Sequence, residues 1–206
     1  MGRRKRKPTL IKDLEITGVA DKGKGVGRTP DGQVVFVEKV APGDCVDVLV
    51  TRKRSKFMKA TPVEYKRLSE DRAEPSCEHF GVCGGCQWQH LKYEKQVHHK
   101  EQLVRDAVQR IGKVEVGEFY PILPCDENFY YRNKMEYSFS NTRWLTAEEL
   151  KDESVSKYED VLGFHRPGAF NKIVNIEHCW LQPDPSNDLR NGIRALAIEH
   201  KLPFFD

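Results

Sequence analysis

Leu14-Glu15-Ile16-Thr17-Gly18-Val19-Ala20-Asp21-Lys22-Gly23-Lys24-Gly25-Val26-Gly27 alternates apolar and polar residues and then carries glycine at every second position. The alternation predicts a half-buried strand. Gly23, Gly25 and Gly27, with Val26 between two of them, predict a sharply coiled strand pair. Downstream, Pro30-Asp31-Gly32 makes a turn before the β-branched run Gln33-Val34-Val35-Phe36-Val37. Ala41-Pro42-Gly43-Asp44 makes another turn before Cys45-Val46-Asp47-Val48-Leu49-Val50, and a last strand is expected through Phe57 to Tyr65. About five short strands with glycine turns and no helical period predict an OB-like β-barrel over residues 9–67. Such a barrel closes its edges and leaves one face for single-stranded nucleic acid.

Charge separates this stretch from the rest. Residues 1–67 hold 17 basic and 8 acidic side chains, whereas residues 68–206 hold 17 basic and 23 acidic, within an overall charge of +3. A basic first third points to a polyanionic partner. Arg3-Arg4-Lys5-Arg6-Lys7 alone is equally a solvated tail, but Arg52-Lys53-Arg54 with Lys56 and Lys59 lies among strand-forming residues and favours a nucleic-acid face. With 32% charged residues and a mean hydropathy of −0.65, no apolar run approaches the roughly 20 residues of a membrane-spanning helix. No apolar segment follows the basic start as in a secretory signal. The chain is therefore expected to be cytoplasmic, with no membrane partner and no obligate protein partner.

A different composition begins near Ser69. Glu70-Asp71-Arg72-Ala73-Glu74-Pro75 reads as a polar linker, and Cys77 to Cys86 as an irregular, glycine-rich loop. Val97, Leu103, Val104, Ala107, Val108 and Ile111 fall on one stripe of a helix over 93–111, with Gly112 placed as its terminating C′ glycine. Strands are expected at Phe129–Phe139, Asp160–Arg166 and Lys172–Ile176, with a turn at Arg166-Pro167-Gly168, and a final helix at Asn187–His200. The expected fold class is mainly β with an α+β second part. Its divisions are a basic tail (1–8), the barrel (9–67), a linker and cysteine loop (68–95) and an α+β central domain (96–206).

Six cysteines stand at 45, 77, 83, 86, 125 and 179. A chain of this length without an export signal does not need a disulfide framework. Cys77, Cys83 and Cys86 with the distant Cys179 form a set of three plus one, and soft thiolates so placed suit a metal. Structural zinc usually takes two paired knuckles, and only one pair is present. Three near cysteines and one remote one are closer to iron–sulfur ligation, with Gly81, Gly84 and Gly85 letting the backbone turn sharply near the sulfurs. Spacing alone leaves iron–sulfur, zinc and no metal open. Cys45 and Cys125 are expected as buried small residues. His79, His90 and His178 flank the ligand set and are expected in loop hydrogen bonds or supporting contacts.

Cys77-Glu78-His79-Phe80-Gly81-Val82-Cys83-Gly84-Gly85-Cys86-Gln87-Trp88-Gln89-His90 resembles the cluster loop of the bacterial 23S rRNA (uracil-5-)-methyltransferases. The N-terminal barrel resembles the TRAM domain that precedes it in that family. Tyr131-Arg132-Asn133-Lys134-Met135-Glu136-Tyr137-Ser138 resembles a central-domain strand, and Gly163-Phe164-His165-Arg166 and Ile176-Glu177-His178-Cys179 follow in the family's order. The resemblance covers nearly the whole chain. It implies a [4Fe-4S] cluster on Cys77, Cys83, Cys86 and Cys179. It also implies methyl transfer from S-adenosylmethionine to carbon 5 of uracil in RNA, expected to be 23S rRNA, after a thiolate has added to carbon 6. The family's S-adenosylmethionine-binding domain and its catalytic cysteine motif have no match here, so no residue is assigned as catalytic and the fragment alone is expected to be inactive.

A uracil inside folded RNA must leave its stack before it reacts, and contacts to flanking nucleotides offset that cost. Arg132, Asn133 and Lys134 are the leading candidates for RNA contact, followed by Phe164 and His165, with Lys53, Arg54 and Lys56 tracking the phosphate backbone. In a strand, Arg132 and Lys134 share a face and Asn133 points the other way. Tyr130, Tyr131, Tyr137 and Phe139 are expected to serve mostly in packing. Two other readings stand beside this one: a free-standing RNA-binding module with structural zinc, and a small iron–sulfur electron-transfer protein.

Overall fold

The computed structural model describes residues 9–205, and the expected basic tail at 1–8 lies outside them. The chain forms two compact units. One runs through Glu74 and includes Gln87–Pro124; the other comprises Pro75–Cys86 and Cys125 onward. This division by packing differs from the division by composition, because the stretch after Cys86 groups with the first unit.

In the first unit, strands β1 (Thr9–Ala20), β2 (Lys24–Arg28), β3 (Val34–Val37), β4 (Cys45–Lys53) and β5 (Phe57–Arg67) close into a barrel ordered β1-β2-β3-β5-β4. β3 and β5 pair in parallel, whereas the other neighbours are antiparallel. β1 reaches both partners because it bends. Its N-terminal half pairs with β4 and its C-terminal half with β2, with register breaks between Ile11 and Leu14 and between Ile16 and Gly18. Leu14, Ile16, Val35, Val37, Val46, Val48, Met58 and Ala60 fill the core. The alternation Leu14-Glu15-Ile16 places the two apolar side chains inside and the glutamate outside.

Glycine is required at 25 for lack of room. A Cβ there would stand 2.9 Å from Ile16 Cγ2 and closer still to a methyl of Val40. β2 thus yields its interior space to side chains from neighbouring segments.

Helix α1 (Tyr93–Arg105) passes at Asp106–Ile111 into wider turns, closed by the Gly112 amide on the Ala107 carbonyl at 2.8 Å. The wider turns move the side chains that follow out of the 3.6-residue register. Val97, Leu103 and Val108 are half-buried, but Val104 and Ile111 are exposed. Gly112 does not take the expected left-handed cap conformation: its φ is −70°, and Lys113 carries the positive φ instead. A side chain at 112 would meet the Val108 carbonyl oxygen at 2.8 Å, which is the local reason for glycine.

The second unit holds an antiparallel sheet of β6 (Ser138–Thr142), β7 (Tyr158–Arg166) and β8 (Ala169–Asn175), with helix α2 (Ser186–Glu199) after it. Val161, Leu162, Ile173, Val174 and Ile176 are its buried apolar residues. The strand expected at Phe129–Phe139 is absent until Ser138. Tyr130 is left-handed at φ 57°, and only the Tyr130 and Arg132 amides pair, with the Trp180 and Leu181 carbonyls at 2.8 Å each. Donors two residues apart meet successive carbonyls, so no ladder propagates. Among the described residues, no helix is long and apolar enough to cross a membrane.

Candidate nucleic-acid surface and cysteine loop

In the second unit, an open cleft of about 370 Å³ is lined by Gly85, Arg132, Lys134, Met135, Glu136, Phe164 and Leu181. Three of the sequence candidates, Arg132, Lys134 and Phe164, therefore meet at one site. Arg132 and Lys134 arrive there on irregular extended chain rather than on a strand. The Arg132 guanidinium is exposed and makes no hydrogen bond or ion pair among the described residues. Lys134 Nζ lies 2.9 Å from Glu136 Oε1, both ends well exposed, so water and salt screen the pair and an incoming phosphate can compete for the ammonium.

Phe164 projects from β7 and packs on Tyr137, ring centroids 4.7 Å apart. It supplies the cleft with an apolar wall on which a base can stack. Asn133 is exposed and lies outside the lining, and His165 turns away to place Nε2 3.0 Å from Ser138 Oγ. Met135, Glu136 and Leu181 escaped the sequence reading, since nothing in their spacing marks a cleft.

Of the four tyrosine and phenylalanine candidates for packing, Tyr131 is 61% exposed. Tyr130 rests against Trp180 (5.7 Å), and Phe139 meets Phe204 edge-on (5.0 Å).

In the first unit, Lys53 closes β4, and Arg54 and Lys56 occupy the turn into β5. All three are exposed, and none is in a salt bridge among the described residues. The turn is held by the Arg54 amide on the Phe57 carbonyl (2.8 Å) and by the Gln33 carboxamide on the Arg54 and Ser55 carbonyls (3.0 and 3.2 Å). Its cations are therefore presented on an anchored hairpin.

The cysteine loop is built from tight turns. The Phe80 amide donates to the Cys77 carbonyl, and the Val82 and Cys83 amides to the His79 carbonyl. Gly81 is left-handed at φ 79°. Gly84 does not lean on a sulfur as expected; a Cβ there would strike Pro167 Cγ at 2.6 Å. The Gly85 amide donates to Cys83 Sγ at 3.3 Å, a contact that favours a charged sulfur.

Cys179 is buried on the loop between β8 and α2, in an apolar cluster with Val174, Ile176 and Leu181 against which Val82, Cys83 and Cys86 pack. Burial pushes the Cys83 thiol up to about 11. The Gly85 amide pulls against that rise, and the Cys86, Cys77 and Cys179 sulfurs add to it. Burial raises Cys77 as well, against the pull of the His79 amide and with help from Cys179. Cys83 and Cys86 pack against the apolar cluster that contains Cys179. Among the described residues, no group of three or more His, Cys, Asp or Glu side chains is placed to hold a metal ion.

The remaining cysteines and histidines separate from this set. Cys45 is buried in β4, as expected, but Cys125 is exposed, with Sγ 2.9 Å from the Glu127 carbonyl. Cys125 follows Pro124 in irregular chain that offers it no core. His90 belongs to the first unit, where its buried ring sits 3.1 Å from the Val40 carbonyl. His178 Nε2 is 3.3 Å from the Tyr130 hydroxyl, and His79 Nε2 is 3.3 Å from Glu78.

Comparison with known proteins adds three findings. Residues 9–63 match the TRAM domain. Two proteins named as uncharacterized RNA methyltransferases are similar to the chain. That of Bacteroides thetaiotaomicron is 45% identical over 91% of this chain and 41% of its own length; that of Porphyromonas gingivalis is 44% identical over 94% and 42%. The chain thus spans about two fifths of the curated relatives it matches. The solved structure of Pyrococcus abyssi tRNA (uracil-54, C5)-methyltransferase with S-adenosyl-L-homocysteine shares the fold at a TM-score of 0.53 and 22% identity, over 93% of this chain and 38% of that one.

Proposed function

We propose, on the premise of a TRAM barrel and of homologues named RNA methyltransferase, that the chain is the RNA-recognition and iron–sulfur portion of an S-adenosylmethionine-dependent RNA (uracil-5-)-methyltransferase. The proposed target is a cytoplasmic RNA, 23S rRNA first and transfer RNA as the competing substrate. The observation that carries the reading is the cleft in which Arg132, Lys134 and Phe164 meet Gly85 of the cysteine loop. Cations for phosphate and an aromatic wall for a splayed base are what an unstacked nucleotide requires. The exposed Lys53, Arg54 and Lys56 on the barrel hairpin would grip flanking backbone in a sequence-independent way.

Cys77, Cys83, Cys86 and Cys179 would hold the [4Fe-4S] cluster. The support for this is chemical: all four are soft thiol donors, Cys83 and Cys86 pack against the apolar cluster that contains Cys179, and the Gly85 amide is aimed at the Cys83 sulfur. When bound, the cluster would tie the loop at 77–86 to the Cys179 loop and so stiffen the cleft wall at Gly85. It has no assigned role in the methyl transfer.

Binding of fluorescent 23S rRNA fragments, transfer RNA and unrelated single strands across a salt series tests the RNA reading. We expect steep salt dependence and a preference for ribosomal fragments. Equal binding to all three would remove the 23S assignment, and binding to none would remove the RNA reading. Anaerobic reconstitution with iron and sulfide tests the cluster. A brown protein absorbing near 400 nm is expected for the wild-type chain and not for Cys83→Ser, and a colourless zinc-loaded product would favour the zinc-bearing RNA-binding module.

A further inference from the structure

The outer surface of the barrel over β2, β3 and β5 departs from the polar face that an alternating strand ordinarily turns to water. Val35, Val37, Met58 and Ala60 point into the core, so the period of two turns Val34, Phe36, Phe57 and Lys59 outward. Strand pairing sets the outward side chains in two neighbouring rows that follow the curve of the barrel. One runs Gly18, Val26, Phe36, Lys59, Arg52, and the other runs Arg28, Val34, Phe57. The Phe36 and Phe57 rings meet edge to face, with centroids 5.6 Å apart and planes at 66°. Both are half-buried rather than buried, as are Val26 and Val34. An edge-to-face contact takes up at most one ring face, so the pair is not closed to a further aromatic partner.

Cations bracket the rings. Lys59 adjoins Phe36 and Arg52 follows it along the row, while Arg28 stands at the end of the other row beside Val34. Arg52 and Lys59 form no salt bridge among the described residues, and neither row holds a carboxylate. Glu38 lies 3.9 Å from Lys24 Nζ, beyond both rows. Lys53 pairs with the core residue Met58 and so has the opposite parity, which makes Arg52 rather than Lys53 the continuation of this surface. Beside Val26 the row is open, since a Cβ at Gly18 would meet nothing within 4 Å. Aromatic rings between unpaired cations complement a strand that offers bases and phosphates together. A duplex keeps its bases stacked on one another and offers this surface only phosphates.

We propose that Phe36 and Phe57 form a stacking platform for unpaired bases of single-stranded RNA, with Arg28, Lys59 and Arg52 on the phosphates beside it. This rests on the RNA reading above and adds a base-contacting site on the barrel itself, separate in sequence and in chemistry from the cations of the 53–56 hairpin. Stacking accepts any base, because every base has a π-face. The platform therefore selects for unpaired RNA and not for a sequence. Phe36→Leu and Phe57→Leu remove the ring while keeping an apolar side chain, and Phe36→Tyr keeps the ring.

The experiment measures binding of the whole chain by fluorescence anisotropy to a labelled RNA strand of about ten nucleotides, to its duplex and to the same strand carrying abasic sites. The strand is expected to bind more tightly than the duplex, and abasic sites to weaken wild-type binding about tenfold. Phe36→Leu and Phe57→Leu should each weaken the intact strand about tenfold, blunt the abasic penalty and leave the salt slope unchanged, while Phe36→Tyr binds like wild type. Arg52→Ala with Lys59→Ala should instead reduce the salt slope by about 2. Wild-type protein that binds none of the three RNAs overturns the RNA reading and this inference together. An abasic penalty that persists in full in both leucine variants assigns stacking to Phe164 and overturns this inference alone. If the leucine variants do not fold, Gly18→Glu decides: its carboxylate has open space beside Val26 and should weaken strand binding several-fold, and unchanged binding overturns the inference.

Discussion

Arg72 grips Asp44 with two nitrogens, Nε at 2.9 Å from Oδ1 and Nη2 at 2.6 Å from Oδ2, and the carboxylate has no solvent exposure at all. The Ala41 and Ser69 amides complete its shell at 2.7 and 2.9 Å. One side chain in the turn before β4 thereby fastens the segment that leaves the barrel after β5.

Removing Arg72 strands that carboxylate. Arg72→Met is expected to destabilise the first unit by about 3–5 kcal/mol, the cost of breaking a buried pair from one side. Denaturant unfolding of the variant against wild type measures it, and a loss below about 1 kcal/mol would mean that the two amides alone suffice.

The same carboxylate sets an acid limit. Burial by itself would raise the Asp44 pKa, but the hydrogen bonds from Arg72, Ala41 and Ser69 outweigh it and hold the group below its ordinary 3.8. A depressed carboxylate contributes stability above its unfolded value and loses it as pH falls through the folded one. Wild-type stability attributable to Asp44 should therefore persist above 3.8 and decline only below it, while in Arg72→Met the folded pKa rises towards or past the unfolded one and this acid loss shrinks or reverses. Unfolding free energy followed by tryptophan fluorescence through this range would expose a coincident decline, which would deny Asp44 the role.

Gly25→Ala should cost about 1–3 kcal/mol, because the new methyl group has no space between Ile16 and Val40. Gly32→Ala serves as the contrast: there a Cβ meets nothing within 4 Å, and the penalty arises from the left-handed φ of 81° instead. Combining Gly25→Ala with Val40→Ala should recover part of the loss, and no recovery would place the strain elsewhere.

For nucleic acid, Arg132→Ala should weaken RNA binding by about 1–2 kcal/mol. Replacing Lys53, Arg54 and Lys56 together by alanine should flatten the slope of log affinity against log salt by about 1 for each phosphate no longer neutralised. Titrations by fluorescence anisotropy separate the two effects. Wild-type-like binding by Arg132→Ala would remove that residue from the interface.

The barrel was legible because each of its strands announces itself locally. Leu14-Glu15-Ile16 alternates, Gln33–Val37 is β-branched, and the glycines of β2 mark a close approach. The segment after Cys125 was less legible. Phe129-Tyr130-Tyr131 has strand-forming residue types, but the left-handed Tyr130 breaks the extended run, and propensity yields to tertiary packing there. The cysteines could be grouped by residue type and rough spacing, though not their separations. Arg190 gave no signal, since an arginine in a helix ordinarily faces water and only the packed structure shows it inside. Cys125 failed in the opposite sense: a residue type that prefers interiors lies in irregular chain at the surface.

The path of the backbone crosses between the two compact units at 74/75, 86/87 and 124/125. No single proteolytic nick, and no truncation at one point, yields both units intact. During synthesis the barrel strands, all supplied by residue 67, can assemble early, while Cys77, Cys83 and Cys86 wait for Cys179. At ribosomal rates of about 5–20 residues per second, Cys179 follows those residues by on the order of ten seconds. Formation of the second unit, which needs the chain as far as α2, is thus a post-barrel event, and the loop that carries Cys77, Cys83 and Cys86 is made long before the segments that complete its unit.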